Sequence, residues 1–177
     1  YDCFEWIKAK YPGCRFVFLT LTVRNVSIES LASRLVDMSA AWNRFTQRRD
    51  FKALGLLGWL RVLEVTRNAY TGTYHPHFHI VLVAPSGCWL PDHSWWLRCW
   101  QLAARDESIM FVNLRVLDGS KSSIKEVSKY VVKDSDFAGS AWVSEFPKLY
   151  KALAHVRCFS PAGCWRDSRR ASLSARR

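Results

Sequence analysis

Hydrophobic positions change their spacing several times along this chain, and each change marks an element. From Arg15 to Arg24 (RFVFLTLTVR) the period is two: Val17, Leu19, Leu21 and Val23 share one face, and Phe16, Phe18, Thr20 and Thr22 the other. β-Branched and aromatic residues at that period predict a strand. From Ser27 the period lengthens. Ile28, Leu31, Leu35, Met38, Trp42 and Phe45 recur at three and four residues, while Arg34, Asp37, Arg44 and Arg48 take the opposite side, which predicts an amphipathic helix capped by Ser27. Leu57 to Arg67 and Tyr74 to Ala84 are β-rich runs around a turn-prone stretch, Asn68 to Thr73, that contains Gly72. They predict an antiparallel hairpin. Asp92 can cap a second helix with Trp96, Cys99, Trp100 and Ala103 along one side, and Met110 to Leu117 reads as a further strand. Asp118-Gly119 then turns the chain into a helix holding Glu126 and Tyr130. Pro147 opens a last helix through about Val156, before a short strand near Arg157 to Ser160.

Strands that alternate with helices but include a direct hairpin predict an α+β fold, an antiparallel sheet of the ferredoxin-like or RRM-like kind covered by helices. The length of 177 residues suits one domain, and a chain 49% hydrophobic and 23% charged is not disordered. No apolar run approaches the roughly 20 residues that cross a bilayer, so a soluble, cytoplasmic protein is expected. Charge adds a partner: 26 Lys+Arg against 15 Asp+Glu give +11, which calls for a polyanion. Arg166 to Arg177 holds five Arg against one Asp, a net +4, and its Ser, Ala and Arg composition reads as a basic disordered tail (166–177) behind a single domain over 1–165. The six Cys fit no compact disulfide framework and are expected as reduced thiols; Cys3, Cys14, Cys158 and Cys164 offer a zinc alternative without any CxxC pair.

The most specific chemistry lies in His75-Pro76-His77-Phe78-His79. Residues two apart on a strand share a face, so His77 and His79 project together and Phe78 turns away. His75 has the same parity, but Pro76 sets it at the strand's mouth, as a ligand, a phosphate contact or neither. Glu64, on the preceding arm, falls opposite the pair. Two His and one carboxylate leave coordination positions for water and phosphate oxygens and suit Mn²⁺ or Mg²⁺, whereas the plain alternative is hydrogen-bonded sheet histidines. The second signal is Ser123 to Lys133 (SIKEVSKYVVK). On a helix Glu126 and Tyr130 stand one turn apart on one face, continued by Lys133. A tyrosine beside a polarised phosphodiester can attack phosphorus, and a carboxylate nearby can activate water. Glu126 also fits a capping box with Ser123.

Phe18-Leu19-Thr20-Leu21-Thr22, Arg61-Val62-Leu63-Glu64-Val65-Thr66, His75 to His79, and Glu126-Val127-Ser128-Lys129-Tyr130 with Lys133 together closely resemble the motifs of rolling-circle plasmid replication initiators, members of the HUH endonuclease superfamily. The resemblance covers roughly Phe16 to Ser160. It implies a metal held by Glu64, His77 and His79, Tyr130 as the nicking nucleophile, and Glu126 as the carboxylate used in termination, with Lys129, Lys133 and His75 near DNA phosphates. It also implies a single-stranded or hairpin origin as substrate, with a host helicase as a possible partner. Tyr130 follows the histidines by about fifty residues, the order of replication initiators rather than of conjugative relaxases. Single-tyrosine transposases share that order and are the nearest alternative. A second is a non-catalytic single-strand-binding module that stacks bases on Trp59, Tyr70 and Tyr74.

Overall fold

The computed structural model describes residues 2–118 and 140–174. Eleven elements follow in order among them: α1 (Asp2–Lys10), β1 (Arg15–Thr22), α2 (Ile28–Gln47), α3 (Arg49–Ala53), β2 (Gly58–Arg67), β3 (Tyr74–Ala84), α4 (His93–Ala104), β4 (Val112–Leu117), α5 (Ser140–Leu153), β5 (Phe159–Gly163) and α6 (Cys164–Ser174). The strands form one antiparallel sheet in the order β4-β1-β3-β2-β5. This is the predicted α+β architecture, with the β-α-β-β-α-β core of a ferredoxin-like sheet and β5 added at one edge.

Helices cover both faces, so the period-two pattern of β1 serves two cores. Val17, Leu19 and Leu21 of β1 and Phe78, Ile80 and Leu82 of β3 are buried against Leu31, Leu35, Met38, Trp42 and Phe45 of α2 and Trp96 and Trp100 of α4. On the other face Phe16, Phe18, Leu60, Val62, Val81 and Val83 pack against Phe4 and Ile7 of α1 and Trp165 of α6. Toward the β2–β3 turn the positions on this second face change character. Thr20, Thr22, Glu64, Thr66, His75, His77 and His79 take the places that apolar residues hold at the other end. A sheet face that is apolar at one end and polar at the other defines where the site lies.

Asp92 caps α4 as expected, its Oδ1 accepting from the Trp95 backbone N–H at 2.9 Å. Ser27 occupies the N-cap of α2 without a side-chain capping bond. Gly58 and Gly163 face one another across β2 and β5, and a Cβ on either would strike the opposite backbone, at the Ala162 or Leu57 carbonyl oxygen; Gly163 also has φ of +55°.

Several expectations are corrected. Helix α1 was not predicted; five of its nine residues are apolar, but only Phe4 and Ile7 are buried. The last helix begins at Ser140 with Pro147 inside it, not at Pro147. The last strand runs from Phe159 to Gly163, and Met110 and Phe111 precede β4 as exposed residues. The expected disordered tail is helical to Ser174: Cys164, Trp165 and Ser168 are buried, and α6 lies against α1. An Arg-rich composition hid an amphipathic helix whose buried face is only three residues wide. The helix expected to hold Glu126 and Tyr130 lies outside the described residues.

Helix α5 is tied to the hairpin by a buried tyrosine. Tyr74 has no exposed surface; its Oη donates to Glu145 Oε2 at 2.6 Å, and Arg67 Nε donates to the same oxygen at 2.9 Å. Burial first, then the bond to Glu145, pushes the phenol up to about 12, so it remains a donor at any ordinary pH. Tyr74→Phe is expected to lower stability by about 2 kcal/mol, the worth of a hydrogen bond to a charged acceptor. Urea denaturation measures it, and an unchanged midpoint would mean that Arg67 alone holds Glu145.

Candidate metal centre

The register of β2 against β3 sets Glu64 opposite His77 and Val62 opposite His79. All three polar side chains turn to the sheet face that also carries Phe18 and Val81. Nε2 of His77 and Nε2 of His79 both donate to Glu64 Oε2, at 2.6 and 2.7 Å, and the three side chains are only 8–11% exposed. Burial alone would raise the Glu64 carboxyl, but the two imidazole hydrogen bonds and the nearby His charges outweigh it and hold the group well below the usual carboxylate range. Glu64 is therefore an anion at any physiological pH.

The surroundings fix the rings. Thr20 pairs with His79 across β1 and β3, and Thr20 Oγ1 lies 3.2 Å from His79 Nδ1. Phe18 stacks on the same imidazole, centroids 5.4 Å apart and planes 8° from parallel, and the Arg115 guanidinium lies 6.0 Å from the Phe18 ring. With Nδ1 held by Thr20, Nε2 is the His79 nitrogen turned toward Glu64, and it is free to ligate once a cation takes the place of its proton. One ligand atom from each of Glu64, His77 and His79 lies within 4.8 Å of the others. Two imidazole nitrogens and one carboxylate oxygen, converging from adjacent strands, fit a divalent cation that keeps further positions for other ligands.

His75 shares the face but stands apart from this group, its ring 5.1 Å from that of His77; burial first, and then His77, holds it below the ordinary imidazole range. Tyr130, Glu126, Lys129 and Lys133 lie outside the described residues. The chain on either side is described. It leaves the sheet after Leu117, opposite Phe16, and resumes at Ser140 in the helix whose Glu145 grips the triad end of the hairpin. Of the aromatic residues considered as base platforms, Tyr70 is fully exposed, but Tyr74 is buried and Trp59 packs edge-on against Trp42 and Phe51. The stacking surface expected for a binding-only module is therefore reduced to Tyr70. The cysteines form no disulfide, and among the described residues no second metal-ligating group gathers.

Thr20, Phe18 and Arg115 escaped the sequence reading as site residues. The signal was available: two threonines interrupt the aromatic face of β1 where it passes the histidines. Thr20→Val is expected to weaken Mn²⁺ binding about tenfold or more by leaving His79 Nδ1 without this partner. Isothermal titration checks it, and an unaltered affinity would remove Thr20 from the site's support.

The structure thus sets a buried His-Glu-His cluster at the polar end of an antiparallel sheet in an α+β fold. The chain matches the family described as "Replication protein" over residues 1–175, and it belongs to that family. A "Protein rep" of Streptococcus pneumoniae serotype 2 (strain D39 / NCTC 7466) is 30% identical over 178 residues, covering 94% of this chain and 54% of its own length. A "Protein rep" of Bacillus amyloliquefaciens is 30% identical over 154 residues, 75% of this chain and 45% of that one. A "Replication protein" of Staphylococcus aureus is 32% identical over 146 residues, 75% of this chain and 61% of that one. The chain thus spans about half the length of the curated relatives it matches. No solved structure matches it. The family bears out the resemblance that the motifs carried. No described helix is long and apolar enough to cross a membrane.

Proposed function

We propose that this chain is a metal-dependent, sequence-specific endonuclease and strand transferase that nicks single-stranded DNA at a plasmid origin to start and end rolling-circle replication. The observation that carries the reading is the convergence of Glu64, His77 and His79 on one point of the sheet face, in a chain of the Replication protein family. Mn²⁺ or Mg²⁺ held by these three residues would polarise the scissile phosphate. The other steps belong to the chain. Tyr130 Oη attacks phosphorus, the P–O3′ bond breaks, the phenolic proton ends on the departing 3′ oxygen, and the strand is left with a 5′-phosphotyrosine and a 3′-OH that primes synthesis. Lys129 and Lys133, one position before and three after Tyr130, neutralise phosphate charge, and His75 flanks the same strand. Glu126 accepts a proton from the water that releases the DNA.

The test is incubation with origin-derived single-stranded oligonucleotides in Mn²⁺ or EDTA, followed by denaturing electrophoresis. A denaturant-stable adduct in Mn²⁺ alone is expected, and tight binding with no adduct would favour a binding module. Glu126→Ala sharpens the assignment: nicking should persist, while release by water slows at least about tenfold, the low end of what a positioned acid or base contributes. Normal release would leave Glu126 as the capping partner of Ser123.

A further inference from the structure

A second cationic feature lies on the sheet face opposite the triad, where Arg61 projects from β2 between α2 and β5. A cavity of about 660 Å³ opens there, and its lining includes Arg61, Arg157, Arg166 and His155 with Ser39 and Ser160, but no acidic residue among those described. Arg61 is 4% exposed. Its Nη2 donates to the Arg157 carbonyl oxygen at 2.8 Å, Nε meets no acceptor among the described residues, and the guanidinium sits 4.3 Å over the Phe78 ring. Burial first, then the Arg157 charge, lowers it to about 10, which still leaves it cationic at neutral pH.

A buried guanidinium with a second arginine beside it and no carboxylate among the described residues is costly, and the Phe78 face offsets only part of that cost. An anion would offset the rest. We propose that this cavity is a phosphate-binding site, separate from the metal centre, in which Arg61, Arg157 and Arg166 receive a phosphate group. Guanidinium forks beside the Ser160 hydroxyl match the several oxygens of a tetrahedral phosphate, whereas the Ser39 hydroxyl is already donated to the Leu35 carbonyl; the cavity is large enough for a phosphate with its sugar. Arg61 and Glu64 leave β2 on opposite faces, so a phosphate here belongs to a nucleotide other than the one at the metal centre. It comes either from a second stretch of the DNA backbone or from a nucleotide in solution.

Thermal unfolding in EDTA separates this site from metal chemistry. Sodium phosphate is compared with sodium chloride at equal ionic strength, on the wild type and on R157A/R166A. Both replaced side chains are exposed, and the Arg157 carbonyl that accepts from Arg61 is retained. Phosphate at ten times its Kd should raise the wild-type Tm by about 4 °C and that of the variant by less than half as much. Two further arms identify the source. If the phosphate is that of DNA, the variant binds a single-stranded oligonucleotide about tenfold more weakly, with the slope of log K against log salt reduced by about 1. If it is that of a nucleotide, AMP reproduces the phosphate shift and oligonucleotide affinity is unchanged. An equal phosphate response in both proteins, or none beyond chloride, overturns the site.

Discussion

Tyr130→Phe is expected to abolish the covalent protein–DNA adduct while leaving Mn²⁺ affinity intact. Phenylalanine lacks the oxygen that must bond to phosphorus, and no other group on that ring can replace it. The chain has six tyrosines, so the assignment is a choice among real rivals. Tyr74 is excluded by its environment: it is fully buried, its Oη is held by Glu145, and its phenol is pushed up to about 12. Tyr70, fully exposed at the tip of the hairpin that carries the triad, and Tyr150, exposed on α5, remain sterically available. Loss of adduct in Tyr130→Phe with retention in Tyr70→Phe and Tyr150→Phe is the expected pattern. An adduct that survives Tyr130→Phe moves the nucleophile to another of the chain's tyrosines, Tyr1 and Tyr11 included.

Glu64→Gln is expected to lower metal-dependent nicking by about a thousandfold, since several kcal/mol of charge stabilisation depend on the cation and each 1.36 kcal/mol is worth a factor of ten. The change removes the anion of the group but keeps its shape. The replacement amide oxygen can still accept from an imidazole, so the hairpin is expected to stay folded, with unchanged far-UV circular dichroism. Mn²⁺ titration should show affinity falling with activity. Full nicking in the variant would mean that the His-Glu-His cluster only braces the two strands.

The centre of the fold was legible because its signals are periodic. Period two in β1 assigned Val17 and Phe16 to opposite cores, and the three-and-four spacing from Ile28 to Phe45 located α2 with its buried face. The triad was legible for the same reason: strand parity put His77 beside His79, and a short turn put Glu64 across from them. What escaped depended on partners distant in sequence. Helices α1 and α6 make sense only together, since Phe4 and Trp165 pack edge to face at 4.8 Å and neither segment carries a strong apolar stripe alone. Trp59 and Tyr74 look like base platforms in sequence but lie on the core face of their strands. The threonines that interrupt the aromatic face of β1 hinted at a polar site, but the pairing of Thr20 with His79 follows from the β1–β3 register.

The most direct test of a metal-assisted tyrosine nick is to locate the bond itself. After reaction with an origin oligonucleotide in Mn²⁺, nuclease trimming and trypsin digestion, mass spectrometry should find the residual nucleotide on the peptide from Tyr130 to Lys133, whose one tyrosine leaves no ambiguity. The modification should be absent from an EDTA control. A nucleotide on the peptide containing Tyr70 or Tyr150, or one attached to Tyr130 to the same extent in EDTA, would contradict the account.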